Sequence, residues 1–109
     1  MEAQEFIRKT VTENPVVLFM KGTAQFPRCG FSGRAVQILK SCGVKNIVIV
    51  DVLQDDAIRQ AIKDYASWPT IPQLYVKGEF IGGCDIVREM FETGELQQMF
   101  EEKGVEVRA

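Results

Sequence analysis

Apolar residues follow two patterns along this chain, a helical spacing in some stretches and nearly continuous runs in others. Residues 2–13 place apolar side chains three and four positions apart, which predicts a short helix with one buried face. Asn14 and Pro15 end this helix, because a residue that precedes proline avoids helical backbone angles. Residues 16–20 and 46–52 are largely apolar throughout, which is typical of strands buried on both faces.

A second amphipathic stretch lies between the two predicted strands. Residues 34–42 repeat apolar side chains on one helical face, and Gly43 ends the helix. Cys42 lies on that apolar face, so we interpret it as a core residue. The order strand, helix, strand predicts a βαβ unit with parallel strands and a right-handed crossover.

The second half of the chain predicts a third helix followed by a hairpin. Asp55 or Asp56 caps the helix, whose apolar residues follow at helical spacing. Two prolines in Trp68-Pro-Thr-Ile-Pro72 exclude both a helix interior and a central strand at that point. Short strands at 73–76 and 79–81 then flank a tight turn.

The chain closes with two short helices. Gly82-Gly-Cys-Asp85 opens the first, which Gly94 ends. Residues 95–103 form the second, and we expect residues 104–109 to be a frayed tail. The element order is therefore α-β-α-β-α-β-β-α-α.

This order predicts an α/β protein with the thioredoxin-like fold. A βαβ half and a ββα half form a four-stranded mixed sheet with helices on both faces. The first strand is central, parallel to the second strand and next to the antiparallel hairpin of the third and fourth. We expect a single domain over residues 1–109, with its core at about 15–100.

Composition excludes several classes of protein. The net charge of −2, from 13 basic and 15 acidic residues, argues against a nucleic-acid-binding protein with a basic surface. No apolar run is long enough to cross a membrane. The acidic N-terminus lacks a signal-peptide pattern, so we expect a cytoplasmic protein or a mature organellar form.

The numbers of histidine and cysteine residues exclude several kinds of catalytic and metal site. The chain has no histidine, which excludes catalytic triads and metal sites that need this residue. Its three cysteines are an odd number at wide spacing, so they do not form a disulfide framework. They are also too few to supply the four thiolates of a usual iron–sulfur site within one chain.

Cys29 is the strongest candidate for a reactive residue. It lies where the loop after the first strand meets the next helix, and the N–H groups and dipole of a helix N-terminus favour a thiolate. Lys21 at the end of the strand adds a positive charge. Ser32 occupies the position of the second cysteine of a C-x-x-C motif, so the pattern describes an attacking thiol without a local resolving thiol. The alternative is a small buried apolar cysteine.

Two other segments suit an anionic ligand. The Ile71–Pro72 bond precedes a strand and is either cis, exposing backbone groups for a peptide to pair with, or an ordinary trans turn. Cys84 and Asp85 lie at a predicted helix N-terminus, whose free N–H groups suit a carboxylate. Asp85 is alternatively a simple N-cap.

Four motifs at matching spacing resemble the monothiol glutaredoxin family over about residues 15–100. They are Lys21-Gly-Thr, Cys29-Gly-Phe-Ser32, Trp68-Pro-Thr-Ile-Pro72 and Gly82-Gly-Cys-Asp85. The resemblance implies that glutathione is the ligand and that its sulfur meets Cys29. It also implies three groups of contacts: the glycine carboxylate at Lys21, Arg59 and Lys63; the cysteinyl backbone at Thr70, Ile71 and a cis Pro72; and the γ-glutamyl end at Gly83, Cys84 and Asp85. Without the resemblance, the spacing of Arg59 and Lys63 favours a solvated surface.

The resemblance implies a carrier of a 2Fe–2S cluster. Cys29 and one glutathione thiolate from each of two chains would supply four soft ligands, so the apo protein is expected to be a monomer and the cluster form a homodimer. The lengthened loop before Cys29 favours this function, and BolA-type proteins and apo iron–sulfur proteins are the implied partners. The alternative function is a glutathione-dependent oxidoreductase that reduces mixed disulfides by a monothiol route.

Overall fold

The computed structural model describes residues 2–107 as a three-layer arrangement of helices about one sheet. Five helices and four strands are found in that range, with a single 3-10 turn at Val52–Gln54. Their bounds are α1 Ala3–Glu13, β1 Val16–Met20, α2 Gly30–Ser41, β2 Ile47–Asp51, α3 Asp56–Ala66, β3 Gln73–Val76, β4 Glu79–Gly82, α4 Cys84–Thr93 and α5 Glu95–Glu102.

The sheet has the strand order β2-β1-β3-β4. β1 is parallel to β2, with Val16 opposite Ile47, and antiparallel to β3, with Val16 opposite Val76. Every residue of β1 is buried, as expected of a strand with neighbours on both sides and helices on both faces. The predicted fold, the central position of the first strand and the parallel pair are therefore confirmed.

Two apolar cores lie on opposite faces of the sheet. Odd and even positions of β1 face opposite sides, so Leu18 packs in one core and Phe19 in the other. The first core includes the apolar faces of α2, α4 and α5, and Cys42 is buried there as predicted. The second includes those of α1 and α3. A sheet covered on both faces places its loops at the strand ends, where the candidate residues are found.

The prediction that the second strand is buried on both faces is wrong. Every residue of β2 is partly exposed, because β2 pairs with β1 alone and its other edge is open. The strand is also shorter than the apolar run, since Val52 begins the 3-10 turn. The Asp51 side chain caps this turn by accepting a hydrogen bond from the Leu53 N–H at 3.0 Å.

Helix ends follow the capping residues of the sequence. Asp55 caps α3, accepting hydrogen bonds from the N–H groups of Ala57 and Ile58, which decides between the two predicted caps. Helix α2 begins at Gly30, four residues before the amphipathic pattern becomes clear. Its first turn carries an exposed phenylalanine and a buried serine, so the apolar spacing does not reveal it.

The predicted fraying of the tail is wrong for residues 105–107. Val105 is buried against the first core, and its N–H donates to the Phe100 carbonyl at 2.8 Å. The Lys45 N–H donates to the Glu106 carbonyl at 3.2 Å, and Val107 forms a bridge with Val44. Residues 108 and 109 lie outside the described part of the chain.

Candidate functional site

Cys29 is the N-cap residue of α2, as the sequence predicts. The Ser32 N–H lowers the pKa of the Cys29 thiol by hydrogen bonding to the sulfur, and this effect outweighs the rise that partial burial causes. The Phe31 N–H and the charge of Lys21 lower the pKa further. These N–H groups are the unpaired donors of the first helical turn, so the fold itself stabilises the thiolate.

Ser32 contributes more than its place in the C-x-x-S pattern suggests. Its side chain is fully buried, and its Oγ accepts a hydrogen bond from the Lys21 N–H at 3.1 Å. This bond ties the end of β1 to the first turn of α2. The hydroxyl proton is a further donor to the Cys29 sulfur and lowers the pKa of the thiol. The C-x-x-S pattern indicates Ser32 only as the position of an absent second cysteine.

We expect Ser32→Ala to raise the pKa of Cys29, because the thiolate loses a hydroxyl donor. At a fixed pH below that pKa, the thiolate fraction falls and Cys29 alkylates more slowly. Mass-spectrometric measurement of iodoacetamide modification at Cys29 across pH tests this. Thr23→Ala is the control, since its hydroxyl accepts from the Phe26 N–H in the same loop without contributing to the Cys29 pKa. Identical pH profiles for Ser32→Ala and wild type would contradict the prediction.

The loop before Cys29 is closed on itself. The Arg28 N–H donates to the Lys21 carbonyl at 2.8 Å, and Gly22 forms an antiparallel bridge with Pro27. Gly22 has φ of +96°, and a Cβ there would lie 2.5 Å from the Phe26 carbonyl oxygen. Only glycine fits such a position, so the loop that presents the thiol has a defined conformation.

Asp51 anchors this loop from the neighbouring strand. One of its carboxylate oxygens accepts hydrogen bonds from the N–H groups of Gly22 at 2.9 Å and Leu53 at 3.0 Å. Partial burial alone would raise the pKa of Asp51, but these hydrogen bonds outweigh it and the net pKa is lowered. Its position at the carboxyl end of β2, level with the end of β1, is the sequence signal for this contact.

We expect Asp51→Asn to destabilise the fold by about 1 kcal/mol at neutral pH, because hydrogen bonds to a charged acceptor are stronger than those to a neutral one. The folded-state pKa is lowered, so the stabilisation is present above the unfolded-state pKa and is lost as pH falls through the folded-state pKa. The difference in the free energy of unfolding between wild type and Asp51→Asn should therefore disappear in acid. Urea unfolding at neutral and acid pH measures it, and a gap that is independent of pH would contradict the prediction.

A cavity of about 470 Å³ opens beside Cys29. Every predicted site residue lines it except Arg59, which lies one turn before Lys63 on α3. Phe31, Trp68, Pro69 and Ile86 complete the lining. Four parts of the chain therefore meet here: the Cys29 loop, Lys63 of α3, residues 68–72, and the start of α4. The volume suits a small-molecule ligand.

The cavity wall at residues 68–72 has the backbone that the resemblance implies. The Ile71–Pro72 peptide bond is cis, which decides between the two predicted alternatives. Thr70 is exposed on the cavity side, and Ile71 and Pro72 are buried beneath it.

The opposite wall is the N-terminus of α4. Gly83 is the N-cap residue, and the interpretation of Asp85 as a simple N-cap is therefore wrong. No side chain caps this helix, so its first N–H groups are open to a ligand. A Cβ at Gly83 would lie 3.3 Å from the Trp68 Nε1 and 3.4 Å from the Pro72 carbonyl oxygen, so glycine allows the two walls to approach closely.

The three free cysteines differ in their electrostatics. Burial raises the pKa of the Cys84 thiol, and the charge of Asp85 raises it further. Burial also raises the pKa of Cys42. Cys29 alone among them has a lowered pKa, so it is the thiol favoured for nucleophilic attack or metal ligation.

Comparison with known proteins identifies the family. The Glutaredoxin family profile matches residues 16–81. Glutaredoxin 4 of Escherichia coli is 49% identical over 105 residues, covering 96% of this chain and 90% of that protein. A monothiol glutaredoxin of Synechocystis is 53% identical over 100 residues, covering 92% of each chain. The chain belongs to the monothiol glutaredoxin family.

Solved glutaredoxin structures share the thioredoxin-like fold of the chain. A monomeric truncated mutant of Trypanosoma brucei 1-C-Grx1 superimposes with a TM-score of 0.88 and 39% identity, covering 97% of this chain and 96% of that one. A buckwheat glutaredoxin–glutathione complex superimposes with a TM-score of 0.82 and 29% identity, covering 94% of this chain and 91% of that one.

Two features are absent from the part of this monothiol glutaredoxin that the structure describes. Among residues 2–107, no three His, Cys, Asp or Glu side chains come together as a metal-binding group. None of the helices described in that range has the length and apolar character needed to span a membrane.

Proposed function

We propose that the protein binds glutathione in the cavity beside Cys29 and, as a homodimer, carries a 2Fe–2S cluster for delivery to acceptor proteins. The observation that carries this proposal is the single activated thiol at the edge of a cavity with separate cationic and helix N-terminal walls. BolA-type proteins and apo iron–sulfur proteins are the proposed partners.

The charges around the cavity suit glutathione, which has two carboxylates and one ammonium group. Lys21 and Lys63 suit the glycine carboxylate, and the open N-terminus of α4 suits the γ-glutamyl carboxylate. Asp85 suits the ammonium group. The buckwheat glutaredoxin–glutathione complex supports this choice of ligand.

The number of available thiolate ligands favours a cluster shared between two chains. Each chain offers one activated thiolate, Cys29, and each bound glutathione offers another, so a dimer provides the four soft ligands that a 2Fe–2S cluster takes. The free state of Cys29, Cys42 and Cys84 fits a reducing compartment such as the cytosol, which we propose as the location.

The surface around the thiol is compatible with a second copy of the chain. Phe26 and Phe31 flank Cys29 in sequence and are 71% and 64% exposed. Phe31 lines the cavity, and large exposed aromatic side chains of this kind are unusual on a surface that stays in water. Their burial would support a dimer that the cluster and its glutathiones hold together.

Sedimentation of the apo and reconstituted protein across a glutathione series tests this proposal. We expect a monomer without iron and a dimer with iron, and the dimer fraction should rise with glutathione because mass action favours the state that binds it. Phe31→Ser should weaken the iron-bound dimer, whereas Leu53→Ser, at an exposed apolar residue outside the cavity lining, should not. An iron-bound monomer would contradict the proposal.

The lowered pKa of Cys29 also favours a second candidate function, the reduction of glutathione mixed disulfides. The Cys29 thiolate would attack the glutathione sulfur, forming a Cys29–glutathione disulfide and releasing the other thiolate. A second glutathione thiolate would then attack that disulfide, giving oxidised glutathione and regenerating Cys29. We expect slow turnover in a coupled reductase assay; rapid turnover by a protein that never holds iron would favour this alternative.

A further inference from the structure

Gln73 is a buried polar residue directly behind the cavity wall. It is fully buried at the start of β3, and it does not line the cavity. Its Nε2 donates hydrogen bonds to the carbonyl oxygens of Trp68 at 3.2 Å and Thr70 at 3.3 Å. One amide group therefore holds two carbonyls of the loop that contains the cis-proline.

Tyr75 fixes the orientation of this amide. Its hydroxyl donates to the Gln73 Oε1 at 3.0 Å, so the oxygen faces the tyrosine and the nitrogen faces the loop. The reverse orientation would place Oε1 against two carbonyl oxygens. The Tyr75 ring is held in turn by edge contact with Phe19, at a centroid distance of 5.6 Å. Each polar atom in this set is satisfied inside the protein.

The hydrogen bond from Gln73 to the Thr70 carbonyl determines the direction of the Ile71 N–H. Ile71–Pro72 is the one cis peptide bond among the described residues, and the Thr70–Ile71 bond before it is therefore trans. In a trans peptide the C=O and the following N–H point in opposite directions. Because Gln73 holds the Thr70 carbonyl on the protein side, the Ile71 N–H faces the side where Thr70 and Ile71 line the cavity.

We propose that Gln73 is a positioning residue for ligand binding, which aims the Ile71 N–H at the backbone of a bound peptide. The inference rests on glutathione binding, because a peptide ligand gives this donor its use. Gln73 acts from behind the wall, so it sets the affinity for the ligand without touching it. The Cys29 thiolate, which other groups stabilise, is unaffected.

Gln73→Met tests the inference, because methionine fills similar space and removes both donors. We expect about tenfold weaker binding of reduced glutathione by calorimetry, the effect of roughly one misplaced hydrogen bond. The pH profile of Cys29 alkylation should be unchanged. Gln4→Met is the matched control, since the Gln4 Nε2 donates to the Ala61 carbonyl at 2.8 Å and neither residue lines the cavity. It should lower stability and leave the affinity as in wild type.

Nuclear magnetic resonance of the apo protein gives a readout that does not depend on glutathione. In Gln73→Met, the Thr70 carbonyl resonance and the Ile71 N–H dipolar coupling should move, while those of α5, which packs in the core on the opposite face of the sheet from Tyr75, stay in place. Tyr75→Phe removes only the hydroxyl and should show smaller changes of the same kind.

The outcomes separate the two claims. If wild type fails to bind glutathione, the proposed function is wrong, and the apo measurement still decides whether Gln73 orients the Ile71 N–H. If wild type binds glutathione and Gln73→Met binds it equally well, the positioning role is overturned and the proposed function stands. Unchanged Thr70 and Ile71 signals in both variants would overturn it as well.

Discussion

Cys29→Ser is expected to abolish cluster binding. The serine hydroxyl does not ionise at neutral pH and is a poor ligand for iron, so each chain loses its only activated thiolate. The N-cap position tolerates serine well, so the fold should persist. Bound iron after anaerobic reconstitution with glutathione measures the effect, and wild-type iron content in Cys29→Ser would contradict the assignment.

The other two cysteines provide matched controls for this substitution. Cys84→Ser should keep most of the cluster, because burial and Asp85 raise the pKa of that thiol and its backbone N–H is retained. Cys42→Ser should keep the cluster and lose about 1–3 kcal/mol of stability, because a hydroxyl is buried among apolar side chains. Loss of iron from Cys84→Ser to the extent seen with Cys29→Ser would mean that the ligand set is wrong.

Lys63→Glu is expected to have the next largest effect, about tenfold weaker glutathione binding and a dimer that needs correspondingly more glutathione. The lysine lines the cavity, so its replacement puts a negative charge where the glycine carboxylate is proposed to bind. Arg59→Glu makes the same kind of charge reversal one turn earlier on α3, outside the lining, and should have a smaller effect.

Calorimetry of reduced glutathione with both variants, alongside sedimentation of the reconstituted proteins, compares these two positions. Urea unfolding of the apo forms shows whether the fold is intact. Equal losses of affinity in Lys63→Glu and Arg59→Glu would mean that long-range charge, rather than contact in the cavity, governs binding. The proposed place of the glycine carboxylate would then be wrong.

The fold could be predicted because each central element has a strong local signal. β1 is an uninterrupted apolar run, and the glycine and proline positions around it delimit the loop that carries Cys29. The burial of β2 could not be predicted, because an apolar run does not reveal that one edge of the strand lacks a neighbour. The packed end of the tail depends on contacts with Val44 and Lys45, some sixty residues away in the sequence.

For the candidate site, the sequence likewise predicts some features and not others. The resemblance of the four motifs to the monothiol glutaredoxin family implies which segments meet, since the cavity collects every predicted residue except Arg59. It does not predict the side chains that hold those segments in place. Ser32 and Asp51 each bind backbone atoms of another segment, and Gln73 binds a carbonyl of the loop directly before it. Such hydrogen bonds depend on side-chain geometry in three dimensions, which residue patterns do not encode.

The proposed cluster is tested most directly by its composition. After anaerobic reconstitution, the dimer isolated by gel filtration is analysed for iron, acid-labile sulfide, glutathione and protein. Cys29 and glutathione as joint ligands predict equal amounts of all four, and no bound iron when glutathione is omitted. A dimer that holds iron and sulfide without glutathione, or a protein that takes up no iron in its presence, would contradict the proposed function.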